Sequence, residues 1–183
     1  IRVYFGNIPA LIRTFVYISM LGPRGLREVA ETSVMNTNYF VKKLRRAQPK
    51  LMLTHDIHKP RKHEAVFSAT QVKKETGVTI EDISKRMLDY GIHAPMMYFP
   101  AIVDEALMVE LTESEPKFEI DRYVELLARV VNEAYTNNEM LKRAPTNTSV
   151  ARLDLVRANH PKKLILSWRF RDEIIQLMNE LSR

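Results

Sequence analysis

An α+β fold, with a small antiparallel-rich sheet covered by helices and long N-terminal helices leading into it, is what this sequence predicts. Three observations point there. Apolar residues recur at helical spacing over 7–46, 79–90 and 116–137. Between these stretches lie short apolar runs bounded by proline, glycine and polar residues, the pattern of strands. The resulting order is helix–helix–strand–strand–helix–strand–strand–helix, which a helix-covered sheet accommodates.

Asn7 to Leu21 reads as the first helix, with Ile8, Leu11, Ile12, Phe15 and Ile18 in its stripe. Asn7 suits its cap and Pro9 an early helical position. Gly22-Pro23-Arg24-Gly25 breaks it. The second helix, Leu26 to Arg46, sets Leu26, Val29, Ala30, Val34, Met35, Tyr39 and Leu44 on one side and ends in basic residues, which suit a helix C-terminus. Lys50–Thr54 and Ala65–Ala69 read as strands joined by the polar loop Asp56–Lys62.

Thr79, followed by Asp82, has the form of a capping box for a helix running to Tyr90, and Gly91 suits the position that ends it. Met96–Phe99 and Ala106–Leu111 read as further strands. Thr112 or Ser114 is expected to cap a helix over Pro116–Asn137 whose stripe includes Phe118, Ile120, Tyr123, Leu127 and Val131. Beyond the turn-rich Ala144–Ser149, a short helix is expected over Ala151–Ala158 and an amphipathic one over Trp168–Leu181. The domain reading is 1–47 as connecting helices, 48–143 as a small α+β domain and 144–183 as a C-terminal extension.

Composition narrows the function. The chain has 183 residues, 45% hydrophobic and 27% charged, which is enough for one good core. No apolar run approaches the roughly 18 residues a membrane span needs, and no secretory leader is visible. With no cysteine, disulfides, thiol catalysis and Cys-ligated zinc are excluded, and a cytoplasmic location fits. The first residue is Ile, so the chain reads as a fragment or a processed product. The net charge of +6 is densest at Lys42, Lys43, Arg45, Arg46, Lys50, Lys59, Arg61 and Lys62. Aromatic residues are not interleaved there as stacking platforms, so a solvated helix end and loop is favoured over a nucleic-acid surface.

The motifs carry little chemistry by themselves. His58-Lys59 has the form of a pyridoxal-phosphate (PLP) lysine preceded by histidine. Such a lysine needs a phosphate cradle and an acid for the pyridine nitrogen. Here Pro60 follows, and the chain has only 5 glycines, so Lys59 reads as a loop lysine. The spacing of His55, His58 and His63 matches no helical His-Glu-x-x-His pattern, and no metal is expected. His63-Glu64 sets an imidazole beside a carboxylate, a pair suited to acid–base work or to a strand rim. His93 lies in the turn Gly91–Pro95, Tyr98 in an apolar run, and the acids from Glu110 to Glu115 read as a helix start. Arg13, Arg27, Arg122, Arg152 and Arg157 are available for a carboxylate, and the sequence selects none.

Several segments in fixed order carry a resemblance. They are Val3-Tyr4-Phe5-Gly6-Asn7 with Tyr17-Ile18-Ser19-Met20-Leu21-Gly22, then Asn36-Thr37-Asn38-Tyr39 and His63-Glu64-Ala65-Val66. Gly91-Ile92-His93-Ala94-Pro95 with Tyr98-Phe99-Pro100 follows, then Ala106 to Glu110 with Thr112 to Glu115, Ala144-Pro145 and Arg152-Leu153-Asp154. Together they resemble the C-terminal region of the glycine-cleavage-system P-protein, the PLP-dependent glycine decarboxylase family, from about Val3 to Trp168. The Tyr-Phe-Gly-Asn form is most similar to the subunit 2 branch of the two-subunit enzymes. Ala94, Ala65 and Leu111 depart from the family pattern at positions that bear on backbone and packing.

The resemblance implies the small domain of a fold type I PLP-dependent transferase-like enzyme. The family decarboxylates glycine on pyridoxal 5'-phosphate and passes the aminomethyl group to the lipoyl group of H-protein. The lysine that carries the cofactor would lie upstream of Ile1, so no catalytic residue is expected here and the fragment alone is expected to be inactive. Implied partners are subunit 1 and H-protein in a homo- or hetero-oligomer, without nucleic acid or membrane. Implied neighbours of the substrate cleft are His63, Glu64, His93, Tyr98 and Asn7. The alternatives are the small domain of a class V aminotransferase or cysteine desulfurase, or a basic RNA- or protein-binding module.

Overall fold

The structure, a computed structural model, describes residues 6–161, 168 and 171–181. The chain divides into two units, Ile1–Asn147 and Thr148–Arg183. Val3, Tyr4 and Phe5 lie outside the described residues.

The first unit opens with α1, Ile8–Ala47, capped by Asn7, whose side chain accepts the Ala10 N–H. The two helices read from the sequence are both present within this span and run on from one another across a kink at Gly22. Gly22 sits at φ 59° and ψ −176°, a conformation open essentially to glycine, and Pro23 follows without an N–H. The two halves differ in burial. Ile8, Leu11, Ile12, Phe15, Val16, Tyr17, Ile18 and Met20 are all exposed, whereas Ser33, Asn36, Thr37, Phe40, Val41 and Leu44 are buried. The buried face matches the expected one only in part: Leu44 is buried and Tyr39 packs against the core, but Val34 and Met35 are exposed. Two polar residues replace them inside because each finds a partner. Asn36 donates to the Thr112 and Glu115 carbonyls, and Thr37 to that of Leu111.

Four short strands follow, β1 Met52–Leu53, β2 Glu64–Ser68, β3 Met96–Met97 and β4 Ala106–Glu110. They form one antiparallel sheet in the order β1-β2-β4-β3. The edge strands are shorter than expected. At β3 the cause is Tyr98, which turns to φ 57°. In the register, Ala65 faces Val109 and Phe67 faces Leu107, and this face meets the helices. Glu64 faces Glu110 and Val66 faces Met108 on the opposite face, because side chains alternate.

The core is closed by α2 Thr70–Thr76, α3 Ile80–Asp89, α4 Lys117–Thr136 and α5 Asn138–Arg143. The periodicity gave no sign of α2, which buries little beyond Val72 and ends at Gly77 with φ 74°. The capping box is present, with Thr79 accepting the Asp82 N–H and Asp82 the Thr79 N–H. Neither Thr112 nor Ser114 caps α4. Pro116 takes that position, and Thr112 and Ser114 bond each other. Phe40 anchors the packing, edge-on to both Phe67 and Tyr123 at 6.0 Å. Gln48 ends α1 and donates to Asn132 and to the Ala128 carbonyl on α4.

The second unit contains α6, Leu155–Ala158, capped by Asp154, and α7, Arg171–Leu181. The first is shorter than the helix expected over Ala151–Ala158, and the expected stretch between Trp168 and Arg171 lies outside the described residues. Val156, Trp168 and Met178 are exposed.

Candidate cleft at the end of the central strands

The central strands end at a clamp. Just before β2, Asn38 on α1 accepts the Arg61 N–H and donates to the Arg61 carbonyl. Just after β4, Asn36 holds the Thr112 and Glu115 carbonyls. Two amides on one helix thus fix both the entry to His63-Glu64 and the exit from Glu110. The Leu111 N–H donates to the His63 carbonyl at 2.9 Å, extending the ladder by one pair. That bond makes the next pair, Glu64 and Glu110, a non-hydrogen-bonded one, whose Cα atoms approach to about 4.5 Å. His63, Glu64 and Glu110 each bring a ligand atom within 4.8 Å of the others.

Glu110 also borders a half-open cleft of about 520 Å³. Its walls include His93 and Pro95 from the turn after α3, Met108 and Leu111, and Glu119, Arg122 and Tyr123 of α4. Arg122 is paired with Glu119 at 3.5 Å. Burial pushes the Tyr123 phenol well above its usual range, so it stays neutral. The cleft therefore combines apolar walls with an acidic rim and one imidazole.

A second polar cluster lies at the other end of the same strands. Glu105 is 7% exposed and sits at φ 49°. Its carboxylate accepts Lys73 Nζ at 2.6 Å and the Ile80 N–H at 2.7 Å, at the first turn of α3. The hydrogen bond to Glu105 holds the Lys73 ammonium above its usual range. Tyr98 lines a separate concavity with Lys73, Asp104 and Glu105. Burial, then the Glu105 charge, pushes its phenol up, while a Thr79 contact opposes them.

Of the residues expected at a cleft, His63, Glu64 and His93 lie around the Glu110 end of the strands. Tyr98 belongs to the Lys73–Glu105 concavity instead. Asn7 is at the exposed start of α1, at the opposite end of that helix from its packed half. Sequence reasoning passed over Glu110 as part of a helix start, and Glu105 altogether. The signal for Glu110 was its place in a strand pattern, which sets its face only once the register is known. The basic residues Lys42, Arg45, Arg46, His58 and Lys59 share one concavity beside the end of α1.

The fold is that of a domain of the P-protein class. It matches a crystal structure of glycine decarboxylase (P-protein) of the glycine cleavage system in inhibitor-bound form, with a TM-score of 0.53 at 22% identity, over 63% of this chain and 24% of that one. The profile of the family "Glycine dehydrogenase, C-terminal domain" matches residues 29–151, and the chain belongs to that family. Its relatives include probable glycine dehydrogenase (decarboxylating) subunit 2 of Pyrococcus horikoshii, 47% identical over 174 residues, which are 95% of this chain and 34% of the relative. The corresponding protein of Pyrococcus furiosus is 48% identical over 174 residues, again 95% of this chain and 34% of the relative. That of Staphylothermus marinus is 47% identical over 169 residues, 92% of this chain and 32% of the relative. The chain spans about a third of the length of the curated relatives it matches. Among the described residues, no helix is long and apolar enough to cross a membrane.

Proposed function

We propose that this chain is the C-terminal domain of a PLP-dependent glycine decarboxylase and forms one wall of its substrate cleft. The observation that carries this reading is the identity of close to one half to glycine dehydrogenase subunit 2 proteins along almost the whole chain. The reaction is decarboxylation of glycine with transfer of the aminomethyl group to the lipoyl group of H-protein. Subunit 1 and H-protein are the partners, and the cytoplasm is the compartment.

The residues here do not fit the cofactor itself. A PLP lysine lies within a pocket beside a phosphate cradle and an acid. Lys59 is a largely exposed loop residue 3.9 Å from Asp56, and Lys73 is tied to Glu105. Residues 1–47 are read as the connection to the cofactor-bearing part of the enzyme. The exposed apolar side chains from Ile8 to Met20 support that reading, because a helix apolar around much of its circumference is stable when buried. His63, Glu64 and His93 are the candidates for the cleft wall, with Tyr98 and Asn7 as neighbours.

Glycine–carbon dioxide exchange in the assembled enzyme tests this reading. Exchange should fall on His63→Ala, Glu64→Gln and His93→Ala. Unchanged rates in all of these would remove the cleft assignment, and absence of exchange in the unaltered assembly would remove the function. The chain by itself should develop no aldimine absorbance with pyridoxal phosphate.

A further inference from the structure

We propose that His63, Glu64 and Glu110 form a binding site for one divalent metal ion of the Zn²⁺ or Mn²⁺ kind. Three independent features of the strands support it. The first is charge. Glu64 and Glu110 stand directly opposite each other in the closer type of antiparallel pair, where like charges repel. Among the described residues, neither carboxylate has a lysine or arginine within ion-pair distance, whereas Asp121, Glu133 and Glu75 each have at least one. The missing countercharge is of the kind a cation supplies.

The second feature is the donor set. One imidazole and two carboxylates are borderline-to-hard ligands, suited to Zn²⁺ or Mn²⁺. Their ligand atoms all lie within 4.8 Å of one another. A shell at about 2.0–2.2 Å from the ion needs donors about 3–3.5 Å apart, so the side chains must close by about an ångström. All three are at least partly exposed and have the freedom to do so.

The third feature is the frame. Ligands for a metal must project from rigid elements. The β2–β4 ladder, the Leu111–His63 hydrogen bond, and the Asn36 and Asn38 clamps hold all three backbones in place. Three protein ligands leave further coordination positions open, and Glu110 borders the cleft, so those positions can be reached from it. The spacing of His55, His58 and His63 gave no sign of such a site. Its third ligand arrives from another strand.

The inference is independent of the decarboxylase reading, because it is tested on the chain itself without catalysis. The chain is treated with chelator and titrated with Zn²⁺ by calorimetry, then melted with and without the ion. The expected result is one ion per chain and a higher melting temperature with metal. His63→Ala and Glu110→Gln should weaken binding by at least the ~10–100-fold that loss of an outer-shell partner costs. His58→Ala, a nearby loop histidine, should leave binding unchanged. Without metal, Glu110→Gln should melt slightly higher than the unaltered chain, since it removes the like-charge contact, and added Zn²⁺ should no longer raise its melting point. Absence of binding would overturn the proposal. So would binding that survives both substitutions, which would mark an adventitious ion only.

Discussion

Lys73 reaches across from α2 to the nearly buried carboxylate of Glu105, and the two meet at 2.6 Å with half of the lysine side chain still in solvent. The same carboxylate accepts the Ile80 N–H at 2.7 Å. One acid just before β4 therefore ties the sheet to α2 and to the N-terminus of α3. An anion there complements the helix dipole. Glu105 adopts its left-handed backbone at φ 49° with those contacts holding it.

Removing the lysine leaves that carboxylate with the helix N–H alone. Lys73→Met is expected to destabilise the domain, by less than breaking a fully buried pair would, because solvent reaches the ammonium. Glu105→Gln should cost a similar amount, since the amide keeps one acceptor for Ile80. Urea unfolding measures both, with the midpoint lowered and the slope unchanged. A double variant no worse than either single one is the expected sign of coupling. Strict additivity would show that the two side chains act separately.

Acid should loosen the domain at its carboxylate contacts. Lys50, then the Tyr135 hydroxyl and Gln71, hold Glu75 at about 2. Burial pushes the Asp89 carboxyl up, but the N–H groups of Asn147 and Thr146 and the Arg86 guanidinium outweigh it and leave it below its usual range. Each group is depressed in the folded state. Its contribution is complete above the unfolded value near 4 and is lost as pH falls through the folded one. Melting temperature should therefore drop between about pH 5 and pH 2. Asp89→Asn should flatten that slope and lower the plateau at neutral pH. A slope identical to that of the unaltered chain would contradict this account.

The buried face of α1 makes a sharp contrast. Phe40→Ala removes a ring that meets Phe67 and Tyr123, and is expected to cost about 3–5 kcal/mol. Val34→Ala and Met35→Ala, on the exposed side, should stay within about 0.5 kcal/mol. Chemical denaturation of the three variants side by side distinguishes this face from the one that apolar spacing alone suggested.

That contrast shows where the sequence was readable. Element type was legible wherever one rule dominated. The Thr79–Asp82 capping box, the stripe of α4 apart from the exposed Phe118, and the break at Gly22 each follow from local chemistry. The buried face of α1 was legible only at Tyr39 and Leu44, because Asn36 and Thr37 are polar residues buried by partners 74 to 79 positions away. Hydrophobicity cannot anticipate a hydrogen bond to a distant carbonyl. The candidate site divided in the same way. His63 and Glu64 were visible as neighbours in sequence, and His93 by its turn. Glu110 joins them only through the β2–β4 register, and Tyr98 is turned elsewhere by its own backbone.

Asn36 and Asn38 also give α1 a fixed phase. They lie two positions apart on one helix, and each is bonded to a different segment flanking the central strands. The helix cannot rotate about its axis without breaking both contacts. Each residue of helix corresponds to about 100° of rotation. Adding or deleting a single residue between Gly22 and Asn36 would leave the clamp intact yet swing the apolar side chains of Ile8 to Met20 about a quarter turn around the axis. The length of that short stretch is therefore an angular setting. It fixes the bearing of the exposed half of the helix relative to the strand ends that carry His63, Glu64 and Glu110.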